Sequence, residues 1–552
     1  MQSGETGHVS AVEWRWVIMV SVFLVLLAFL PFIWVLVTGL RDSEWQFMGA
    51  LHDHVSTAAQ LARVVQGASD QWLLRYLHTP ESQNGTFINV LYALIGQLSR
   101  FVALPPVALF HVARVCASLF MYMALYQLAA NIWMRIRTRR IFFLVAALGS
   151  GLGWLLVPLF GTFDSPDISV PQAFPFYSTL ANVHYPLTIA FLALLASIAI
   201  PLFRPGSSDA PSVDNGGALV FLSSFMLAIV YPLALIPVIL TIIVILVGIR
   251  RNYRNDFSEK MRWLLWFIVP ALPMLAYYVA LGSYNDIVAK IWDQATDQQT
   301  PSFLVFLLTF SPLLIVAFPG LWRAARRFEP DGDQFMFVWL VLIVLLIFLP
   351  VGTGTEFAAG ILIPIVYFCT RSLEDFWFDF VPRRWRLRLG VAALPLLAMT
   401  NVLVLTLPIR PMTTGNFASL GGLLLQRDYF DAFDWLESRT LPTDVVLAAP
   451  RVGLWVPAWT GARVVYGHPV ETADSDAKLK AVIDWYREDD RSNCRSLLQG
   501  DNNYGGHYQV RYVLIGPFER NLGDTICQEF LTPLQQAGSV QIYRYDPPDT
   551  RD

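Results

Sequence analysis

Long apolar runs separated by short polar segments dominate the first 408 residues of the chain. A helix of about 20 apolar residues crosses the roughly 30 Å of hydrocarbon in a bilayer. The pattern therefore predicts a polytopic α-helical membrane protein. The runs lie at 16–40, 108–132, 141–160, 183–203, 218–249, 263–281, 303–322, 335–350, 357–372 and 389–408.

Two segments need a separate interpretation. The run 218–249 is too long for an ordinary span and carries Tyr231-Pro232 at its middle. Proline interrupts helical hydrogen bonding, so we predict two short helices that bend back here, with their ends against a cavity. We expect 86–102 to be a helix at the membrane interface, inside an outer loop at 41–107. These interpretations give eleven helical segments.

Basic residues set the predicted orientation, because cytoplasmic loops carry an excess of Lys and Arg. In this arrangement eighteen Lys and Arg fall in inner segments and five in outer loops. We therefore expect the N-terminus inside and the C-terminus outside. The run 16–40 lacks a small-residue cleavage site, and we expect it to be a retained span. The inner basic clusters lie at 134–140, 249–262, 322–328 and 383–388.

The composition changes after about residue 409, which predicts a transmembrane domain at 1–408 and an extracytoplasmic α/β domain at 409–552. Helical spacing and short apolar strands alternate there, as in layered α/β folds. The domain contains no phosphate loop and no GxSxG motif. Cys494 and Cys527 both lie in it, and the sequence leaves open whether they form a disulfide. The predicted helices are 428–440 and 477–489, and the predicted strands are 444–450, 462–468, 512–516 and 540–545.

Composition, charge and cysteine spacing favour a membrane protein and argue against a nucleic-acid-binding protein and a zinc knuckle. A mean hydropathy of +0.49 with only 15% charged residues fits a membrane protein. A net charge of −3 argues against nucleic-acid binding, which favours a basic face. The four cysteines show no CxxC spacing, which argues against a zinc knuckle.

Polar residues at the predicted outer face are candidates for chemistry. His52-Asp53-His54 follows the first span directly. Arg114 lies in an apolar helix, where an unpaired charge costs several kcal/mol, so we expect an anionic partner. Snorkelling of Arg114 to the interface is the alternative. His184 and Tyr185 stand just before another span, where they could also serve as a helix cap or an interface anchor.

A metal site is a further alternative for the two histidines that flank Asp53. They could bind zinc together with His78 or His184, since imidazole is a common zinc ligand. No helical HExxH accompanies them. We therefore expect no cofactor, with a divalent metal as the less favoured alternative.

Five stretches of the chain follow one another in a recognisable order. They are DHVSTAAQLARVVQGASDQWLLRYLHTPE (53–81), LYALIG (91–96), HVARV (111–115), NDIVAKIWDQATDQQTPS (285–302) and RVVYGHPVET (463–472). This order resembles the GT-C superfamily of membrane glycosyltransferases, which includes protein O-mannosyltransferases and lipid A aminoarabinose transferases, and is closest to its bacterial members. In two places the chain departs from the pattern. Asp53 is followed by His54 where better-known members have Glu, and Glu356 stands in GTEFAAGILIP (354–364) where a basic residue is expected.

This resemblance implies transfer of a sugar from a polyprenyl-phosphate-linked donor to an acceptor hydroxyl, with inversion, at the outer face of a bacterial inner membrane. It implies that Asp53 is the general base. His54 would orient the carboxylate or contact the acceptor, and Arg114 would bind the carboxylate or the leaving phosphate. We expect His184 or Tyr185 in the same pocket, and membrane lipids and the lipid-linked donor as partners. The alternative is a non-catalytic membrane protein, or a lipid or polysaccharide transporter, on a degenerate scaffold.

Overall fold

The described residues of the computed structural model form two compact units, each assembled from three stretches of the chain. The helical unit comprises Met1–Phe29, Ala113–Val279 and Gln298–Leu407. The α/β unit comprises Leu30–Val112, Ala280–Asp297 and Pro408–Asp552. The division at 408/409 stays a prediction. The structure describes residues 7–39, 44–161, 163–203, 213–252, 257–296, 302–327, 332–349, 354–409, 413, 422–488, 491–500 and 508–547.

Twenty helices precede the C-terminal domain in the described residues, with short 3₁₀ turns at Pro171–Ala173, Pro232–Ala234 and Gly354–Ala358 and a π-helical turn at Leu373–Trp377. The helices are α1 Ala11–Gly39, α2 His54–Ala68, α3 Val90–Val102, α4 Pro106–Ile132, α5 Ile136–Leu148, α6 Gly153–Phe160, α7 Pro166–Ser169, α8 Pro175–Leu180, α9 His184–Leu202, α10 Val213–Val230, α11 Leu235–Asn252, α12 Phe257–Ile268, α13 Leu272–Tyr284, α14 Asp286–Thr296, α15 Phe303–Arg327, α16 Asp333–Ile347, α17 Leu362–Ser372, α18 Phe378–Phe380, α19 Arg383–Leu397 and α20 Met399–Thr406.

Within the described chain, seven helical stretches are long and apolar enough to cross a membrane, and α12 with α13, bent by 45°, forms an eighth. Each of the eleven predicted segments is helical, which confirms the polytopic α-helical fold. The N-in, C-out orientation stays a prediction. The seven stretches are Ala11–Thr38, Pro106–Ile132, Ile136–Phe160, His184–Leu202, Phe303–Arg327, Gly354–Phe380 and Arg383–Thr406.

The predicted break in the run 218–249 is confirmed. Helix α10 ends at Val230, Tyr231 has the non-helical angles φ −160° and ψ 77°, and α11 begins at Leu235. Pro232 explains the position of the break, because it has no N–H and disfavours a helical conformation in the residue before it. Whether the two helices bend back on each other stays a prediction.

The C-terminal part of the α/β unit contains a mixed five-stranded sheet with the order β4-β3-β5-β7-β6. Strand β3 is parallel to β4 and β5, and β7 is antiparallel to β5 and β6. A separate antiparallel ribbon joins β1 to β2. The predicted α/β fold of this part is confirmed. The strands are β1 Trp45–Phe47, β2 Leu424–Gln426, β3 Val445–Leu447, β4 Arg463–Val464, β5 Val510–Ile515, β6 Leu531–Ala537 and β7 Val540–Tyr545, and helices lie at Arg427–Glu437, Pro450–Gly453, Val456–Thr460, Ser475–Arg487, Arg491–Gln499 and Pro517–Arg520.

The disulfide that the sequence left open is formed. Cys494 and Cys527 are bonded, with their Cα atoms 5.3 Å apart. The bond joins the helix Arg491–Gln499 to the 3₁₀ turn Ile526–Phe530, and both sulfurs lie in the hydrophobic core of the domain. Cross-links of this loop length restrict the unfolded chain, which typically stabilises a fold by about 2–4 kcal/mol.

Two glycines let α2 and α3 cross closely. A Cβ atom on Gly96 would lie 2.1 Å from the carbonyl oxygen of Val64, and one on Gly67 would lie 2.4 Å from that of Ala93. These distances are shorter than any van der Waals contact, and the opposing atoms are backbone atoms that cannot rotate away. The glycine that ends LYALIG is therefore required by the packing of helix on helix.

We expect Gly96→Ala to destabilise the α/β unit by about 1–3 kcal/mol, the usual cost of overpacking. Thermal unfolding of the purified chain would measure the loss. Gly248→Ala, in α11, is the matched control, because a Cβ there meets no atom within 4 Å. In a helix interior alanine is favoured over glycine, so the control should be neutral or stabilising. Equal melting temperatures for Gly96→Ala and the parent would contradict the close crossing.

Candidate active site

Asp53 and His54 lie where α2 begins, in the α/β unit. Asp53 occupies the N-cap position with the left-handed angles φ 49° and ψ 42°, yet its side chain makes no capping hydrogen bond to α2. Aspartate tolerates this conformation better than most residues. Asp53 and His54 are both half-buried. The carboxylate is therefore held at a helix terminus without being used to cap that helix.

Helix α2 is anchored to the C-terminal domain by a buried ion pair. The Arg63 guanidinium donates to Glu471 Oε1 at 2.7 Å and to Gln60 Oε1 at 3.0 Å. The side chains of Arg63 and Glu471 are 5% and 15% exposed. The Arg63 guanidinium also lies over the ring of Tyr76, 5.4 Å from its centre. These contacts fix the helix that carries Asp53.

Two buried histidines flank this ion pair. His78 Nε2 is 3.0 Å from the carbonyl oxygen of Leu454, and His78 Nδ1 is 3.9 Å from Glu471 Oε2. His468 Nδ1 accepts hydrogen bonds from the backbone N–H groups of Val470 and Glu471, both at 3.0 Å. The two imidazole rings meet edge to face, with their centres 5.6 Å apart.

A segment of α14 completes this arrangement. Trp292 Nε1 donates to the Tyr76 hydroxyl at 3.2 Å, and Gln294 Nε2 donates to the carbonyl of Thr472 at 3.2 Å. Lys290 Nζ pairs with Asp474 at 3.1 Å. Three of the stretches that carry the sequence resemblance, 53–81, 285–302 and 463–472, thus pack on one another within the α/β unit as far as they are described.

Burial and charge shift the pKa values of this cluster. Burial lowers the pKa of His78, and it lowers the pKa of His468 to about 3, more than the Glu471 carboxylate offsets. Burial alone would raise the pKa of Glu471, but the charge and hydrogen bond of Arg63, together with the two histidines, hold that pKa below its usual range. At neutral pH the cluster is therefore a guanidinium–carboxylate pair beside two neutral imidazoles.

We expect the α/β unit to lose stability as the pH falls below about 6.5, the ordinary pKa of histidine. In the unfolded chain both imidazoles take up protons there, whereas in the folded chain they stay neutral until a lower pH. The loss should approach about 1.4 kcal/mol per pH unit for each histidine. Melting temperatures of the purified chain between pH 8 and pH 4 would measure it.

His468→Gln removes one titrating group, so its melting temperature should fall less steeply with pH than that of the parent. Glu471 contributes with the same sign at lower pH, because its stabilisation is lost as it is protonated below its ordinary pKa. Identical pH profiles for His468→Gln and the parent would show that His468 does not remain neutral in the folded chain.

Arg114 lies in α4, within the helical unit, and is 4% exposed. Its guanidinium donates to the carbonyl of Leu180 at 2.8 Å, at the end of α8, and lies 4.3 Å from the ring centre of Phe29. Carbonyls at the end of a helix have no helical donor and carry partial negative charge. Arg114 thus holds the turn that leads into α9. The proposed contact of Arg114 with a carboxylate or phosphate stays a prediction.

His184 and Tyr185 begin α9 and pack near the broken helix. Their rings are 4.0 Å apart, and the His184 ring stacks on Tyr231 at 6.0 Å with an angle of 16°. Among the described residues, no hydrogen-bond partner is present for the buried Tyr231 hydroxyl. Sequence reasoning singled out Tyr231-Pro232 for the break and for a cavity beside it, and nothing in the sequence indicated this hydroxyl as a binding group.

The turn Gly354–Ala358, which carries Glu356, contacts both the Pro232–Ala234 turn and the Pro171–Ala173 turn. Gln172 Nε2 approaches the carbonyl of Thr355 at 3.5 Å, and Gly360 N–H donates to the Gln172 carbonyl at 3.0 Å. The buried Gln172 Oε1 has no partner within the described part of the chain. Polar groups from separate segments therefore gather around this turn, and sequence reasoning did not indicate Gln172.

The structure thus places Asp53 and His54 in the α/β unit, and Arg114, His184 and Tyr185 in the helical unit. Their convergence on one pocket stays a prediction. In the part of the chain that the structure describes, no group of three or more His, Cys, Asp or Glu is arranged to hold a metal ion. His78, one of the histidines considered as metal ligands, contacts Leu454 and Glu471. Independence from metal stays a prediction.

The solved structures that are similar to this chain include those of two transferases. For ArnT from Cupriavidus metallidurans bound to undecaprenyl phosphate, the TM-score is 0.50 and the identity 11%, over 98% of this chain and 100% of that chain. For the arabinofuranosyltransferase AftD from mycobacteria, the TM-score is 0.50 and the identity 13%, over 99% of this chain and 41% of AftD. The chain therefore spans about two fifths of AftD. No protein-family model and no curated protein matches the sequence.

Proposed function

We propose that this chain, a multi-pass membrane protein with the GT-C fold, transfers a sugar from a polyprenyl-phosphate-linked donor to an acceptor hydroxyl at the outer face of the membrane. The observation that carries the proposal is the likeness to ArnT, which was solved with undecaprenyl phosphate bound and is matched over its whole length. At 11% identity this likeness establishes the fold. The chemistry must come from the residues of this chain.

Asp53 is the proposed general base. Its carboxylate takes the proton of the acceptor hydroxyl while that oxygen bonds to the anomeric carbon of the donor sugar. The bond from the anomeric carbon to the phosphate oxygen breaks in the same displacement, and polyprenyl phosphate leaves as an anion with inversion at carbon. The position of Asp53 supports this role, because it lies half-buried at the beginning of α2 and its backbone is held in an uncommon conformation.

The helical unit supplies the proposed donor site. His184, Tyr185 and the Tyr231 hydroxyl would hydrogen-bond the phosphate, and Gln172 Oε1 would accept from a sugar hydroxyl. Buried polar atoms are nearly always hydrogen-bonded, so the unpartnered atoms of Tyr231 and Gln172 support a polar ligand at this place. Arg114 donates to the Leu180 carbonyl and so fixes the turn before α9. It would thereby position His184, which begins α9. His54 would orient Asp53 or contact the acceptor.

The second candidate is a non-catalytic membrane protein or a carrier on the same scaffold. Glu356 favours this second candidate, because a carboxylate beside the donor phosphate would repel that phosphate. In an active enzyme Glu356→Gln should therefore leave transfer unchanged or raise it. In a carrier the substitution should strengthen the binding of undecaprenyl phosphate without producing transfer.

The test uses the full chain in lipid nanodiscs. Binding of undecaprenyl phosphate is measured first, for the parent and for Tyr231→Phe, with the exposed Tyr284→Phe as the control. We expect Tyr231→Phe to weaken binding by about tenfold, as for the loss of a hydrogen bond to a charged group, and Tyr284→Phe to leave binding unchanged. Release of undecaprenyl phosphate from its pentose and hexose conjugates, with a membrane glycan and lipid extract as acceptor, then measures transfer. A parent that neither binds the phosphate nor releases it would overturn the proposal.

A further inference from the structure

Helix α15 carries an interrupted hydrogen-bond ladder in its second half. Pro319 lies inside the helix and has no N–H to donate. Near it, Gly320 N–H donates to Ser372 Oγ at 2.8 Å, and the Val316 carbonyl accepts from Trp377 Nε1 at 3.0 Å. The end of α17 and the π-helical turn that follows it are therefore bonded to the backbone of α15.

A groove of about 460 Å³ lies along this junction. Besides Ser311, its lining consists of Trp377 in the π-helical turn and five apolar residues of α15, namely Leu307, Leu314, Ile315, Phe318 and Pro319. Ser311 also lines the groove, and its Oγ donates to the Leu308 carbonyl of the same helix at 2.7 Å. From Leu307 to Pro319 the groove follows α15 for roughly 18 Å, close to the thickness of one leaflet. Its shape and apolar lining suit a single hydrocarbon chain.

The same face of α15 continues beyond the groove as an aromatic ring and then a cation. Trp322 stacks on Phe318, with ring centres 6.1 Å apart, and the Arg326 guanidinium lies 4.3 Å from the ring centre of Trp322. Phe318, Trp322 and Arg326 are spaced four residues apart, so they follow one another along the helix. Along α15 the apolar groove is followed by a tryptophan and then by an arginine. A phospholipid has the same order, from its acyl chain through the membrane interface to its phosphate.

We propose that this groove binds one acyl chain of an anionic glycerophospholipid whose phosphate contacts Arg326. The site is distinct from the proposed donor site. Cys369 contacts the Leu313 carbonyl and Ser372 contacts the Ala317 carbonyl, so α17 and α15 run in the same direction. The turn that carries Glu356 precedes α17 and therefore lies toward the opposite end of α15 from Arg326.

The proposal is tested by titrating dioleoyl phosphatidylglycerol and dioleoyl phosphatidylcholine onto the full chain in detergent and counting bound lipids by native mass spectrometry. We expect one phosphatidylglycerol to bind about fivefold more tightly than phosphatidylcholine, the effect of about one interfacial arginine. Arg326→Ala should remove that preference. Ser311→Phe fills the groove and should weaken the binding of both lipids.

Arg388→Ala is the matched control, because Arg388 also lies over a tryptophan, Trp385 at 5.1 Å, and neither residue lines the groove. It should bind phosphatidylglycerol like the parent. Equal binding of the two lipids by the parent, or an equal loss in Arg388→Ala, would overturn the proposal. So would displacement of phosphatidylglycerol by an equal concentration of undecaprenyl phosphate, since the groove would then belong to the donor.

Discussion

Asp53→Asn should lower sugar transfer by about 10²–10⁴-fold while the fold is retained, because it removes the proposed base and keeps the shape of the side chain. Asparagine adopts the left-handed conformation of Asp53 as readily as aspartate does. The side chain makes no capping bond to α2 that the substitution could break. The measurement is the rate of undecaprenyl-phosphate release at saturating donor, and binding of undecaprenyl phosphate should be unchanged.

Asp474→Asn is a closely matched control. Asp474 is also an N-cap residue in the left-handed conformation, with φ 55° and no capping hydrogen bond from its side chain. It pairs with Lys290 at the surface, where ion pairs contribute little. Transfer by Asp474→Asn should match the parent, and His54→Ala should cost less than Asp53→Asn. Transfer by Asp53→Asn at the parent rate would show that Asp53 is not the base.

Glu471→Ala should destabilise the α/β unit by about 3–5 kcal/mol, because it leaves the charge of Arg63 buried without its carboxylate. The side chain of Arg63 is only 5% exposed, so water cannot replace the lost partner without rearrangement. Denaturant unfolding of the purified chain measures the loss. Limited proteolysis should also cut near α2 sooner than in the parent.

Two further variants separate burial from charge pairing. Arg544 and Asp546 form a surface pair in the same unit, with side chains 44% and 53% exposed, so Asp546→Ala should cost less than about 1 kcal/mol. The double variant Arg63→Met with Glu471→Leu removes both charges and should recover much of the stability lost in Glu471→Ala. A double variant as unstable as Glu471→Ala would attribute the loss to packing.

The sequence predicted those helices and strands that a short stretch of neighbouring residues determines. Apolar length located the eleven helical segments, Tyr231-Pro232 located the break, and the GT-C fold expected from the order of motifs is confirmed by structural likeness. Strand β6 was missed because Leu531–Ala537 contains Pro533 and two glutamines, which do not read as a strand. Such residues are tolerated at the edge of a sheet, where β6 lies.

The contacts around the candidate site could not be read from the sequence, because they join distant residues. Arg63 lies on a short amphipathic helix and Glu471 in a loop, and no spacing connects them. For Arg114 an anionic partner stays a prediction, and the backbone carbonyl of Leu180, at the end of the six-residue helix α8, is an acceptor that the sequence did not indicate. Which of the candidate residues share one pocket stays a prediction.

The ion pair between Arg63 and Glu471 also constrains how the chain is made. The two residues are 408 positions apart, so at 5–20 residues per second the ribosome needs roughly 20–80 s to synthesise the partner after Arg63. During most of this interval α2 has left the ribosome while the helix Val456–Thr460 and Glu471, which contact it, do not yet exist. Nascent chains released before residue 471 should therefore be cleaved by proteases near α2 sooner than the full chain, even when their membrane insertion is complete.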